Sequence, residues 1–198
     1  MHEEIRSWLT QLRGGAAQDE AVICSMRSFG LERLIPYLRE MLGAPDPDLR
    51  CQAALAIFYV APIDCLDLLL GLLDDVESVV RWHTCGLLHD IGDQRAIEPL
   101  IHLMKTDPDP QVRNTAAYAL GGIGDARAIP ALIKTMDNDH EFDELGHSAS
   151  SCAATALDDI MKSNYTRVRL TGDLCTMSRK TPDLAVLKSQ AMELFRNR

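Results

Sequence analysis

Aromatic residues are scarce in this sequence, 5% of 198 positions, although 46% of the positions are hydrophobic. Alanine and leucine therefore carry the apolar content, which favours helices over sheet. An apolar share of this size excludes a disordered segment and is enough to build a core. No run approaches the roughly 18 consecutive apolar residues of a membrane span. Met1-His2-Glu3-Glu4 lacks the basic start and apolar run of a signal peptide, so a cytoplasmic setting is the expectation. The six cysteines, Cys24, Cys51, Cys65, Cys85, Cys152 and Cys175, form no C-x-x-C pair. Reduced, structural thiols are expected rather than a disulfide or zinc framework.

Positive charge is the other shortage. Lys and Arg total 20 against 29 Asp and Glu, a formal net charge of −9. That balance argues against a nucleic-acid binder, which needs a basic face to displace counterions. The charge is also uneven: residues 1–161 hold 12 basic and 26 acidic side chains, residues 162–198 hold 8 and 3. Two regions of different surface chemistry are expected.

What is abundant is repetition. Gly92 to Leu100 reads GDQRAIEPL, and Gly124 to Leu132 reads GDARAIPAL, 32 residues later. A degenerate copy starts at Gly30 (GLERLIPYL) and a weaker one at Ala61 (APIDCLDLL). A second element follows each, opening at Leu49-Arg50, Val80-Arg81 and Val112-Arg113, 31 and 32 residues apart. The last copy aligns at Ala149-Ser150, 37 residues after Val112-Arg113, and so carries about five extra residues.

Each copy predicts two helices. Gly92 and Gly124 fit the left-handed residue that ends a helix, and Asp93 and Asp125 fit the caps of the next. Asp107-Pro108-Asp109-Pro110 reads as a turn leading into a helix whose apolar face carries Val112, Ala116, Ala119, Leu120 and Ile123. One such pair cannot bury its apolar face alone, so the pairs must stack. The pattern GD-x-R-A-I-x-P-L followed by D-P-D-P-x-V-R-x-x-A-x-x-A-L-x-x-I-G-D resembles HEAT repeats of the phycobilisome-lyase-like type. The resemblance is close over 92–132, moderate over 30–91 and degenerate over 133–161. The expected fold is all-α, a right-handed α-solenoid of about four to five helix pairs with caps at both ends.

The expected organisation is an N-terminal helical cap over 1–29, repeats over 30–161, and a basic C-terminal segment with a capping helix over 162–198. In the first cap, helices over 2–13 and 18–29 flank Gly14-Gly15. In the last segment, Thr181-Pro182-Asp183 predicts a helix start, with Leu184, Leu187, Ala191, Leu194 and Phe195 on one face. Residues 164–180 show no helical period.

Candidate binding residues come from the second helices. One position after the arginine anchor stand Cys51, Trp82, Asn114 and Ser151; four further on, Leu55, Gly86, Tyr118 and Thr155; four more, Tyr59, Asp90, Gly122 and Asp159. A spacing of four keeps these on one helix face, and stacking sets equivalents side by side. The inner, concave face is therefore expected to expose Leu55, Tyr59, Trp82 and Tyr118, flanked by His83, His89 and Asp90. Large aromatics beside small residues are what binding hot spots use. His89 and Asp90, as helical neighbours, are expected to diverge rather than act together. The recurring Arg50, Arg81 and Arg113 are expected to bond turn carboxylates of adjacent repeats.

Acidic residues mark the turns: Asp74, Asp75 and Glu77, then Asp107 and Asp109, then Asp139, Glu141, Asp143 and Glu144. Stacked turns would form one acidic rim that steers a basic partner. Residues 137–147 alone hold five acids and two histidines, read as a solvated acidic loop. The architecture also resembles deoxyhypusine hydroxylase, a family that implies iron held by His-Glu dyads on repeat helices. Only His140-Glu141 is such a dyad here, and it lies in the insertion.

These features point to a non-catalytic protein-binding module, a scaffold, adaptor or inhibitor whose partner is another protein of basic character. No catalytic cluster, metal set or cofactor motif is specified. The repeat resemblance implies an alternative, a bilin lyase or lyase-like chaperone subunit, with the aromatics stacked on a tetrapyrrole and Cys51 or His83 in contact with it. A metal-dependent hydroxylase is the second alternative.

Overall fold

A computed structural model describes residues 5, 7–8, 18–144, 146–168 and 184–196. Over them run ten α-helices: α1 Gln18–Phe29, α2 Leu31–Leu42, α3 Pro47–Val60, α4 Leu66–Gly71, α5 Ser78–Ile91, α6 Ile97–Thr106, α7 Pro110–Ile123, α8 Ile129–Asn138, α9 Ala149–Val168 and α10 Leu184–Arg196. Among these residues there is no β-strand, only an isolated bridge between Phe142 and Ser148. The all-α helix-repeat fold follows the sequence pattern. The chain forms two compact units, Met1–Ile91 and Gly92–Arg198.

Within the first unit, α2 packs on α3 and α3 on α5. The core holds Leu34, Leu38, Ala53, Ala54, Ile57, Leu66, Leu69, Val80, Cys85 and Leu88, all buried. The weak copy at Ala61 yields only the six-residue α4 and a 3₁₀ turn over Leu72–Asp74. In the second unit, α7 packs on α6 and α9, and α9 on α8. Ile97, Leu100, Val112, Ala116, Leu120, Ile129, Leu132, Ala153, Leu157 and Ile160 fill its interior. Small residues let the helices approach closely. At Gly121 an added Cβ would meet Ala156 Cα at 2.7 Å and Cβ at 2.9 Å.

The punctuation works as the residues dictate. Gly124 takes φ 74° at the end of α7, where an L side chain would be strained. Asp46 and Asp109 each accept a hydrogen bond from the amide two residues on, at the starts of α3 and α7, where proline opens the helix. Asp93 and Asp125 cap the 3₁₀ turns before α6 and α8 in the same way. Each also pairs with the guanidinium two residues on, Arg95 or Arg127. The hydrogen bonds from Arg95 hold the Asp93 carboxyl below the usual carboxylate range.

The recurring arginines form one device built three times. Nη1 of Arg50 donates to the carbonyls of Ala44 and Pro45, Nη1 of Arg81 to those of Asp75 and Val76, and Nη1 of Arg113 to those of Asp107 and Pro108. Each therefore ties down the turn before its own helix. Arg50 also reaches the next turn, with Nε and Nη2 donating to the two Asp75 oxygens at 2.8 and 2.7 Å. Arg113 does the same to Asp139 at 2.6 and 3.2 Å, and its Nη2 reaches Glu141 at 2.7 Å. All three arginines are buried, so these forks replace water in the shell of each cation.

One sequence expectation changes at the C-terminal end. α9 runs to Val168, so residues 164–168 continue a helix across the region without an apolar period. The basic C-terminal segment supplies α10, which packs on α8 and α9. Its Ala191 is buried, Leu194 half-buried and Phe195 exposed, and Lys188 pairs with Asp137. The expected helix over 2–13, Gly14-Gly15, Thr181-Pro182-Asp183 and Cys175 lie largely or wholly outside the described residues.

Gly121→Ala is expected to destabilise the protein by about 1–3 kcal/mol although alanine is the better helix former, because the methyl group meets backbone. Urea unfolding of the two proteins measures the difference. Burial opposes ionisation of Asp75, but hydrogen bonds from Arg50 and the Glu77 amide, with the Arg50 and Arg81 charges, outweigh it and lower its pKa. The folded carboxylate thus holds its charge to lower pH than the unfolded one. Its stabilisation is complete above the unfolded value of about 3.9 and is lost as pH falls through the folded value. Asp75→Asn should unfold more easily at pH 7, by about 3 kcal/mol, and show a shallower loss of stability below pH 4.

Candidate functional site

The second helices of the repeats present the face that the spacing of four defines. In the first unit this face belongs to α3 and α5. Their inward sides carry Ala53, Ala54, Ile57, Val80, Cys85 and Leu88, so the positions left outside are fixed by helical geometry. Trp82 is 39% exposed, Leu55 and Tyr59 half-buried. The Tyr59 ring stands edge-on to Phe58 with centroids 5.1 Å apart, and its carbonyl accepts from Arg27 at 2.8 Å. Val76 and Val79, 86% and 43% exposed, extend the apolar strip at the start of α5.

His83 sits beside Trp82 and is half-buried. Burial pushes its imidazole below the ordinary histidine value, so the ring is neutral at neutral pH. Its Nδ1 is buried without a hydrogen-bond partner, as is Oε1 of Gln52, the equivalent position on α3. Such orphaned atoms cost about 1–3 kcal/mol each and call for an explanation. At the far end of α5, His89 Nδ1 lies 2.9 Å from Asp90 Oδ1. The expectation that the two diverge is corrected here: their bonds leave the backbone about 100° apart, yet exposed side chains in a last turn bend across that angle. Leu55, Tyr59, Trp82, His83, His89 and Asp90 therefore share one unit.

Tyr118 belongs to the second unit. It projects from α7 with 49% exposure, between Asn114 one turn earlier and exposed Gly122 one turn later. Ser151 and Thr155 of the packed α9 are exposed beside it. Asn114 is closed over: its Nδ2 donates to Asp143 Oδ2 at 2.9 Å and to the His147 carbonyl at 3.0 Å. Its Oδ1 is a third buried atom without a partner.

That closure changes the reading of the insertion. Most described residues of 139–148 face water, as expected of an acidic loop, but Asp139, Asp143 and Ser148 turn inward and make part of it a cover. Asp143 accepts from the His147 amide at 2.8 Å, and only 4% of its side chain is exposed. Asp139 and Glu141 bind Arg113. Gly146 turns the chain at φ 79°. Of the acidic rim, Asp107 and the side chain of Asp143 are buried, Asp75, Asp139 and Glu141 are drawn onto arginines, and Asp109 caps α7. Asp74, Glu77 and Glu144 face water. Arg50 draws in Asp75, and Arg113 draws in Asp139 and Glu141, because a buried guanidinium demands anionic partners.

The hydroxylase alternative finds no fit. His140 is exposed, Glu141 is committed to Arg113, and His147 stands 3.7 Å from Asp143. Among the described residues no three His, Cys, Asp or Glu side chains are arranged to hold a metal ion. Nor is Cys51 prepared for thiolate chemistry. Burial, with Asp48 and Asp75 nearby, pushes its thiol up to about 11. Of the other described cysteines, Cys24, Cys65 and Cys152 are also free thiols.

Residues 66–153, which hold α5 and α7 but not α3, match the family model of HEAT repeats. Among solved structures, the chain resembles an engineered protein at 16% identity and a TM-score of 0.51, covering 98% of this chain and 97% of that one. A designed armadillo repeat protein in complex with a (KR)4 peptide also aligns, at 16% identity and a TM-score of 0.49, over 96% and 98% of the two chains. The first likeness is one of fold. No curated protein matches the sequence. Among the described residues no helix is long and apolar enough to cross a membrane.

Spacing that follows exposed aromatics names His83 beside Trp82 but omits Gln52. Their signal was their shared place two residues after Arg50 and Arg81. Asn114→Ala should release the cover by removing both donors and leaving Asp143 buried with fewer partners. Amide hydrogen exchange over 139–148 is expected to quicken about tenfold, the equivalent of 1.4 kcal/mol, while exchange in α3 stays unchanged.

Proposed function

We propose that this protein is a non-catalytic protein-binding module, a scaffold, adaptor or inhibitor that holds a partner protein on the exposed face of its second helices. The observation that carries the proposal is the exposure of Trp82 and Tyr118, 39% and 49%, on helices whose other sides are buried. A large aromatic left in water on a rigid element offers contact area at little further cost in side-chain entropy. Leu55, Tyr59, His83, His89 and Asp90 surround Trp82 within the first unit, and Ser151 and Thr155 accompany Tyr118 in the second.

The carboxylates that still face water, Asp74, Glu77 and Glu144, support a basic partner whose approach they would accelerate. Such steering acts on the association rate and weakens as salt rises. The GD-x-R-A-I spacing supports a repeat subtype similar to the phycobilisome-lyase-like one. That likeness concerns scaffold, and function rests on the exposed face.

Affinity capture from extracts of the native host tests the proposal, with wild type, Trp82→Ala and Tyr118→Ala run in parallel. A specific partner of basic character should be retained by wild type and lost at least fivefold by one or both variants, with circular dichroism unchanged. Equal capture by all three proteins, or recovery of acidic proteins alone, overturns the reading.

A further inference from the structure

Two buried atoms without partners stand at the same register of two helices that pack directly on one another. Gln52 lies two residues after Arg50 on α3, and His83 two residues after Arg81 on α5. Oε1 of the first and Nδ1 of the second are the orphans. Oε1 is an acceptor, and Nδ1 is one when the neutral ring carries its proton on Nε2. Both residues are half-buried, and the last torsion of each is a broad, soft one. A small rotation turns either atom toward a ligand on the exposed face.

The surroundings define what that ligand must be. Trp82 places an exposed indole next to His83, a favourable surface for a flat cation. Gly86, one turn on, leaves open space where a side chain would stand. Carboxylates frame the face at both ends: Asp48 and Glu77 at the helix starts, exposed, and Asp90 at the end of α5, 59% exposed. α3 and α5 carry no Lys or Arg other than Arg50 and Arg81, both buried on turn groups, and Arg27 of α1 reaches only the last turn of α3, where it is bonded to the Tyr59 carbonyl. The place is thus acidic in field, aromatic in contact and short of hydrogen-bond donors. A carboxylate ligand would be repelled, and an aliphatic one would leave the two acceptors orphaned. A lysine ammonium satisfies acceptors as a point charge, whereas a guanidinium offers five donors in a plane that also stacks.

We propose that the α3–α5 face of the first unit receives an arginine side chain of the partner protein, its guanidinium stacked on Trp82 and donating to Gln52 Oε1 and His83 Nδ1. This inference rests on the protein-binding reading above and assigns the chemistry of the group bound there. Asp48, Glu77 and Asp90 supply the field that compensates the charge. The two orphaned atoms gain partners only when the site is filled.

The test uses the full chain labelled with 5-fluorotryptophan and followed by fluorine NMR, with the Trp82 signal assigned through Trp82→Phe. The probes are N-acetyl-L-argininamide, the lysinamide and the uncharged citrullinamide, at equal ionic strength. The argininamide should shift the Trp82 signal saturably. The lysinamide should bind at least threefold more weakly, and the citrullinamide should leave the signal in place. Gln52→Leu and His83→Phe should each weaken the argininamide response at least threefold. Because Gln52→Leu removes an orphan and keeps the volume, its melting midpoint should be no lower than that of wild type. An equal shift with citrullinamide, no shift with argininamide, or an argininamide response untouched by both substitutions overturns the proposal. Absence of the argininamide shift together with partner capture that still depends on Trp82 defeats this inference alone. Capture independent of Trp82 and Tyr118 defeats the reading beneath it.

Discussion

The helices α3, α5 and α7 each open on a guanidinium taken out of water, and the turns around it are arranged to make that tolerable. A buried arginine has five donors to satisfy, and its charge cannot be removed by deprotonation at any ordinary pH. Arg50 and Arg113 meet the demand by fixing two carbonyls of the preceding turn and a carboxylate of the following one. Arg81 fixes the carbonyls of Asp75 and Val76 in the same pattern. Apolar packing between helices is tolerant of sliding, because one leucine contact resembles another. The arginine fork is not tolerant, and it therefore sets the register that the cores of the two units fill.

Much of this could be read from the residues. Gly-Asp at 92–93 and 124–125, proline after Asp46 and Asp109, and alanine along the inner sides of α3 and α7 each specify one local geometry. Those local choices agree with one another and with the stack. The arginines were legible too, since a cation recurring every 31 or 32 residues within apolar runs needs a recurring anion. What escaped was the fate of the anions. A turn rich in aspartate looks like a solvated rim, and only three-dimensional proximity tells which carboxylates the arginines and amides consume. Asp143 shows this most clearly. Four acidic neighbours in 137–144 suggest water around it, yet the Asn114 amide and the His147 backbone hold it inside. Likewise His89 and Asp90 meet through side-chain freedom that a helical wheel does not represent.

The candidate site divides along the same lines. Exposed aromatics were predictable from helical spacing, because positions one, five and nine after each arginine must lie opposite the buried ones. The polar atoms that give the first unit its chemical preference were not. Gln52 reads as an ordinary residue and His83 only as a flank of the aromatic face, and what joins them is an atom without a partner within a packed surface. In the second unit the equivalent stretch of α7 is treated differently. The chain spends residues 139–148 covering Asn114 and leaves Tyr118 as the exposed group. The two faces thus differ in polarity as well as in composition.

The placement of those extra residues has its own consequence. Arg113 finds Asp139 26 residues downstream, as Arg50 finds Asp75 25 residues downstream, so the insertion begins only after the carboxylate that sets the register. Beyond Glu141, which still binds Arg113, the described residues before α9 serve the cover over Asn114 rather than the fork. The connection is a natural port in the scaffold. Foreign loops grafted between Glu144 and His147 would leave the arginine fork intact and keep the two His147 bonds that close the cover, so a new specificity could be built on an old frame.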